Sequence, residues 1–256
     1  MKHGQGSFLQ GSQEGAVGPE EAKALTEAHR LFDNCALFGS LDPDVRAAIF
    51  GQARIQTYNA GDTVFTIGSP GNQMMALLNG TIRISVPFSE GRELFLAILH
   101  PGEIFGELAV LDGNERSADA VAEDACMLAI LDRDDILSFF ERNPSIWPKL
   151  VKVLIQRLRR TDQAFAEVAL LQLPVRLAKA ILRVLSRETS SGDAETFKIW
   201  FSQGELAKMI GSTRESVNKC LRNWQKRDGI LQISEGSIVI NNRRALERIA
   251  DATDAT

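Results

Sequence analysis

Between residues 53 and 132 the chain runs in short apolar stretches punctuated by Gly61, Gly68, Gly71, Gly80, Gly91, Gly102, Gly106 and Gly113. The gaps run from three to eleven residues, and the longer ones, of nine to eleven, have the spacing of short strands joined by turns. Ile82, Ile84 and Val86 alternate with Arg83 and Ser85, the period of a strand with one buried face. A sandwich or jelly-roll barrel is predicted here. Ahead of it, residues 21–50 read as helical through Leu25, Leu31, Phe32 and Leu37. Ser40-Leu41-Asp42-Pro43 is a start signal for a second short helix within that stretch. Residues 1–20 are rich in Gly, Gln and Ser, lack periodicity and read as a mobile tail.

After Asp132 the pattern changes. Trp147, Val151, Leu154, Leu158, Thr161, Phe165, Val168 and Gln172 follow one another in alternating steps of four and three. That is a heptad seam, and its period of about 3.5 favours a partner helix and hence a homodimer. A single helix packed on its own barrel is the other source of such a stripe. Thr161 is a polar residue inside the seam and costs stability there unless it has a partner. Leu173-Pro174 ends the helix, because proline cannot continue the backbone ladder. Residues 175–187 carry another amphipathic helix through Leu177, Ile181, Leu182 and Val184, followed by a Ser190-Ser191-Gly192-Asp193 loop. The expected organisation is a tail over 1–24, a barrel domain over 25–145, a long helix over 146–172 and a C-terminal domain over 173–256.

The C-terminal domain opens its own pattern. Ser202-Gln203-Gly204-Glu205 fits a capping box, in which serine caps the helix and glutamate reaches back. Leu206, Ala207 and Ile210 give that helix an apolar face, Gly211 breaks it, and Ser212 or Thr213 caps a second helix from Arg214 to Arg227. Two short helices around a glycine turn are the helix-turn-helix signature. Ile230–Ser234 and Ser237–Ile240, joined by Glu235-Gly236, predict a hairpin beside it, which makes a winged helix-turn-helix. Val217, Leu221 and Trp224 form the inward face of the second helix. Arg214, Glu215, Asn218 and Lys219 lie on its other faces near the N-terminal end, where a recognition helix meets base edges. Arginine can bond guanine O6 and N7 in a fork, and glutamate can accept from cytosine N4.

The overall charge looks wrong for such a reader. The chain has 256 residues and a net charge of −4. The charge is uneven, however: residues 1–173 hold 15 Lys+Arg against 23 Asp+Glu, and residues 174–256 hold 14 against 10. A basic module is therefore hidden behind an acidic one. Within it, Ser202 to Arg227 holds six Lys/Arg against two Glu, so affinity for double-stranded DNA should fall steeply with salt. Cys35, Cys126 and Cys220 are scattered, which points to a reducing cytoplasmic setting and is too few for a four-cysteine cluster. No apolar run approaches the roughly 20 residues that span a bilayer, and the N-terminus lacks a secretory pattern. G-x-S-x-G, H-E-x-x-H and Walker patterns are missing, so no enzyme is expected.

The sharpest local pattern is Phe105-Gly106-Glu107-Leu108-Ala109 followed by Asn114-Glu115-Arg116-Ser117-Ala118. Late in a glycine-punctuated barrel, this resembles the phosphate-binding cassette of cyclic nucleotide-binding domains. With the long helix and the helix-turn-helix, the chain resembles the CRP/FNR family of transcription regulators over about residues 31–245. The resemblance implies an α+β fold: a cyclic nucleotide-binding β jelly-roll barrel, a long dimerisation helix and a C-terminal winged helix-turn-helix. It implies a homodimer that binds cyclic AMP, or cyclic GMP, as an allosteric ligand without a metal. It further implies DNA and RNA polymerase as partners, and no membrane.

The residues suit that chemistry. Arg116 supplies a planar cation for the cyclic phosphate, and the Ser117 hydroxyl and backbone complete an anion nest. Glu107 accepts the ribose 2′-hydroxyl, Gly106 lets the backbone approach closely, and Leu108 belongs to the same ligand site. The resemblance places a base-contacting pair at Thr161 and Asp162, where the family's cyclic AMP sensors carry Thr-Ser. Asp162 departs from that, and a carboxylate that only accepts can bond adenine or guanine. Thr213-Arg214-Glu215-Ser216-Val217-Asn218-Lys219 is similar to the family's Ser-Arg-Glu-Thr-Val-Gly-Arg, so a palindromic TGTGA-like operator is expected. Lys219 stands in place of an arginine and loses its fork. Ser202 and Thr213 fall at phosphate-contacting positions, and Leu171 to Pro174 at a hinge. The rival reading on the same scaffold is a haem or redox sensor, for which His100 is the one histidine in the barrel.

Overall fold

The computed structural model describes residues 8–9, 19–88, 93–188, 197–234 and 236–252. The expected Ser190–Asp193 loop lies outside them, as does Glu235. The chain divides into two compact units, residues 1–87 with 96–158, and residues 88–95 with 159–256.

In chain order the first part runs β1 (Phe8–Leu9), α1 (Pro19–Phe32), α2 (Pro43–Phe50), β2 (Arg54–Tyr58), β3 (Thr63–Phe65), β4 (Gln73–Asn79), β5 (Ile82–Pro87) and β6 (Glu93–Leu99). It continues with β7 (Ile104–Phe105), α3 (Glu107–Asp112), β8 (Asp119–Ala122), β9 (Cys126–Asp132), α4 (Arg133–Arg142), a 3-10 turn (Pro144–Ile146) and α5 (Trp147–Leu170). One sheet has the order β1–β2–β9–β4–β7 and the other β3–β8–β5–β6. The paired strands are antiparallel.

The five-stranded sheet is covered on both faces. Met75 and Leu77 of β4 join the core between the sheets with Ile82, Phe105, Ala120, Ala122 and Leu128. Met74, Ala76 and Leu78 join a second core with Leu131 of β9, Phe38 of the turn after α1, and Phe32, Ile49, Phe139 and Phe140 from the helices. That is why β4 reads as a solid apolar run, whereas β5 departs from the expected alternation: Ser85 is buried and Ile84 and Val86 are half-buried. Leu150, Val153 and Leu154 of α5 pack on the same helical core, while Trp147, Val151, Ile155 and Leu158 stay exposed.

The second part comprises α6 (Leu173–Glu188), β10 (Phe197–Ile199), α7 (Gln203–Met209), α8 (Arg214–Asp228), β11 (Leu231–Ser234), β12 (Ser237–Ile240) and α9 (Arg243–Asp251). The strands form a sheet in the order β10–β12–β11. Leu177, Ile181, Leu206, Val217, Leu221, Trp224, Ile238 and Leu246 make its core. Glu167, near the end of α5, is buried, and its two oxygens take Nη1 and Nη2 of Arg183 on α6 at 3.2 and 2.9 Å.

Two expectations need correction, on the tail and on the break after the long helix. The tail is not wholly without structure: Phe8 and Leu9 pair with Gln56 and Ile55 of β2, because the edge of β2 offers unpaired backbone groups. Residues 21–50 hold two helices with turns between Phe32 and Pro43, the second starting at Pro43 as the Ser40–Pro43 signal predicts. The break after the long helix falls at Leu171-Gln172 rather than at Pro174. Proline instead sits in the first turn of α6, where its missing N–H costs nothing.

Candidate functional site: a nucleotide cassette and a DNA-reading head

The barrel concentrates its buried charge at one place. Phe105 ends β7, and Gly106 turns the chain into α3 with φ of +76°. A Cβ there would lie 2.6 Å from Nη1 of Arg116, so both the conformation and the space require glycine. Arg116 is 5% exposed and Glu107 1%. Nη1 of Arg116 donates to the Gly106 carbonyl at 2.8 Å and Nη2 to the Gln73 carbonyl at 2.7 Å. Its Nε is buried without a hydrogen-bond partner. Burial lowers the pKa of Arg116, and the charge of Glu107 works against that shift.

Glu107 is half satisfied. Its Oε1 accepts from Nη1 of Arg157 on α5 at 2.6 Å, and Arg157 also donates to the Ile104 carbonyl at 2.7 Å. Its Oε2 is buried and unpartnered. A buried donor and a buried acceptor thus stand unpaired on the two residues whose side chains meet at the Gly106 turn, a costly arrangement for a structural ion pair. It suits a ligand that carries both an anion and a hydroxyl. Arg157 was not among the residues expected from sequence. The clue lay in periodicity: Leu150, Val153 or Leu154, and Arg157 share the inward face of α5, and a buried carboxylate calls for a cation there.

The other expected ligand residues are less enclosed. Ser117 follows Arg116 and is exposed, and Leu108 is exposed beside Glu107. Thr161 and Asp162 lie on α5 in the second unit, both exposed. The structure thus brings Gly106, Glu107 and Arg116 together. His100 is a turn residue whose backbone N–H donates to the Glu103 carboxylate at 2.9 Å.

The DNA-reading head forms as its caps dictate. The Ser202 Oγ accepts from the Glu205 N–H at 3.2 Å, and the Ser202 N–H donates back to Glu205 Oε2 at 2.6 Å, a full capping box for α7. Thr213, rather than Ser212, caps α8 by accepting from the Ser216 N–H at 3.2 Å. Gly211, with φ of +62°, makes the turn between them. Val217, Leu221 and Trp224 point inward. Arg214, Glu215 and Lys219 are exposed, and Asn218 is half-buried with an unpartnered Oδ1. Ser202, Gly204, Arg214, Ser234, Gly236 and Ser237 line part of a 380 Å³ recess between α7, α8 and the β11–β12 hairpin. Among the described residues no helix is long and apolar enough to cross a membrane.

A glycine-punctuated barrel with a buried arginine–glutamate cassette, joined to a winged helix-turn-helix, defines a cyclic nucleotide-binding, DNA-binding transcription regulator. Residues 55–143 match the cyclic nucleotide-binding domain family, and residues 175–249 match the Crp-like helix-turn-helix domain family. The chain is similar to the CRP-like cAMP-activated global transcriptional regulator of Mycobacterium tuberculosis, 32% identical over 221 residues, covering 86% of this chain and 98% of that protein. It is 31% identical over 214 residues to the cyclic AMP receptor protein of Thermus thermophilus, covering 84% and 96% of the two chains. The solved structure of a CRP/FNR-family transcriptional regulator, also from Thermus thermophilus, superposes with a TM-score of 0.68 at 26% identity, covering 78% of this chain and 100% of that one. The protein belongs to the CRP/FNR family of transcription regulators.

Proposed function

We propose that this regulator binds cyclic AMP in the cassette and, as a homodimer, recognises a palindromic TGTGA-like operator. The observation that carries the reading is the pair of buried, unpartnered atoms, Arg116 Nε and Glu107 Oε2. An exocyclic phosphate oxygen answers the first and a ribose 2′-hydroxyl the second. Gly106 keeps the backbone clear, and Ser117 adds a hydroxyl at the mouth. Cyclic AMP is favoured over cyclic GMP because the two relatives above are named for cyclic AMP. Asp162 favours a second reading, in which its exposed carboxylate accepts from guanine N1–H and N2–H2.

The homodimer reading rests on α5. Trp147, Val151, Leu158, Phe165 and Val168 of the predicted seam are all exposed, an apolar stripe that a second copy of the helix would cover. Leu154 is half-buried on its own core, and Ile155 takes its place in the stripe. Arg214, Glu215 and Lys219 read bases, with Asn218 beside them, and Ser202 and Thr213 approach phosphates. The Ser202 hydroxyl accepts in its cap and keeps its O–H for a phosphate, whereas the Thr213 hydroxyl donates to Ser216 Oγ at 3.0 Å and would have to turn its O–H to reach one. The barrel (25–145) serves as the sensor, 146–172 as the dimer helix and 173–256 as the reader. The protein works in the cytoplasm with RNA polymerase as a further partner, and the nucleotide is bound rather than consumed.

The switch requires that nucleotide bind two states of the dimer unequally. Calorimetry with cyclic AMP and cyclic GMP on wild type and Asp162→Ser, paired with operator titrations, tests this. The expected result is tighter cyclic AMP binding, and an operator affinity about 5- to 150-fold higher with it. A selective loss of cyclic GMP in Asp162→Ser assigns Asp162 to guanine. Operator affinity that ignores both nucleotides sinks the switch.

A further inference from the structure

The Arg116 guanidinium has a neighbour that neither charge nor the cassette pattern accounts for. Its central carbon sits 4.3 Å from the centroid of the Phe65 ring. That ring is itself backed by Phe105, with centroids 5.9 Å apart, and Phe105 immediately precedes Gly106. The register of β3 against β8 shifts between Thr63 and Phe65: Thr63 faces Val121 and Phe65 faces Ala120. Such an irregularity re-aims a side chain next to a functional site. The backbone after Phe65 is tied to Arg116 as well. The Gly68 N–H donates to the Arg116 carbonyl at 2.8 Å, and the Arg116 N–H to the Ser69 carbonyl at 2.9 Å. Phe65 and Arg116 are therefore fixed to each other through both side chain and main chain.

We propose that Phe65 is a positioning residue of the nucleotide cassette, holding the Arg116 guanidinium flat against its ring so that the Nε–H is kept for a phosphate oxygen. The carbonyls of Gly106 and Gln73 fix the guanidinium within its plane, each taking an N–H from one terminal nitrogen. They do not stop it from tilting. The ring face does, and it also keeps water from one face of the cation. A guanidinium that can tilt spends its donors on water and meets the phosphate with variable geometry, whereas a fixed one presents the same edge each time. Burial disfavours the charged form of Arg116, and a π face on the cation opposes that.

This inference rests on the cyclic nucleotide reading of the cassette. Its test is calorimetric titration of wild type, Phe65→Leu and Phe65→Tyr with cyclic AMP and with the Rp and Sp isomers of its phosphorothioate. A second series places mono-, di- and trifluorinated phenylalanine at position 65, which weakens the π face while keeping a six-membered ring of nearly the same size. Phe65→Leu is expected to lose about 3- to 30-fold in affinity and to compress the ratio between the two isomers toward one. Phe65→Tyr is expected to stay within about twofold of wild type, because it keeps the ring face. Affinity should fall stepwise with fluorine number, and this series stands even if Phe65→Leu fails to fold. A packing role alone would lower affinity for both isomers equally and ignore fluorination, and that result overturns the proposal. A wild type that binds no cyclic nucleotide overturns the cassette reading and this inference with it. Wild-type binding that Phe65→Leu and the fluorinated series match overturns the role of Phe65 alone.

Discussion

Gly106 carries no side chain because the cassette has no room for one. Its positive φ and the 2.6 Å separation between a built Cβ and Arg116 Nη1 act together. Gly106→Ala is expected to cost about 1–2 kcal/mol of barrel stability from the left-handed backbone alone. It should also push the guanidinium off the Gly106 carbonyl, so that nucleotide affinity falls well beyond the loss in stability. Scanning calorimetry and nucleotide titration on the same variant separate the two effects, and an alanine variant with wild-type affinity would show that the guanidinium has slack. Glu107 and Arg116 were legible in sequence because two short motifs a fixed distance apart carry them. Arg157 was not, since it lies 50 residues from Glu107 and its partner becomes visible only when the start of α3 and α5 pack. Phe65 was hidden for a similar reason: a register shift, not the strand period, decides what it faces.

At the scale of elements, α5 does two jobs on two faces. Leu150, Val153, Leu154 and Arg157 close the barrel side, and Trp147, Val151, Ile155, Leu158, Phe165 and Val168 form the exposed stripe. The heptad reading found the helix and most of the stripe. It exchanged Leu154 for Ile155 because Leu154 is drawn onto the helical core of its own domain while Ile155 stays exposed. Phe165 is 75% exposed in the single chain, so Phe165→Glu should leave the fold intact and dissociate the proposed dimer. Sedimentation equilibrium is expected to read the 28.1 kDa monomer for that variant, and an unchanged dimer would place the interface elsewhere. The strands were less legible than the helices. The turns marked by glycine were plain, but β4 is buried on both faces and offers no alternation to read. The ends of α5 and α6 followed from Pro174 only to within a few residues, because proline is tolerated in a first helical turn as well as after a last one. Across that break, Glu167 grips Arg183 through both oxygens, a buried pair that no local pattern announced.

For the whole molecule, the net charge of −4 conceals an acidic nucleotide-binding part and a basic DNA-binding part. The two oxygens of Glu107 show how such a sensor can report. One is held by Arg157, on the helix that carries the exposed stripe, and the other is open. On the proposed reading the carboxylate is shared between ligand and helix, while the phosphate falls to Arg116 and Ser117. Occupancy and response are separable quantities in such a design. A 2′-deoxy cyclic nucleotide keeps the anion and loses the hydroxyl, so it should compete with cyclic AMP for the site yet leave operator affinity near its unliganded level. Competition titration and operator binding with the same compound check both halves, and full activation by the deoxy analogue would assign the reporting step elsewhere. In pharmacological language, that proposed design makes Arg116 the determinant of potency and Glu107 that of efficacy, and a compound that satisfies only the first an antagonist.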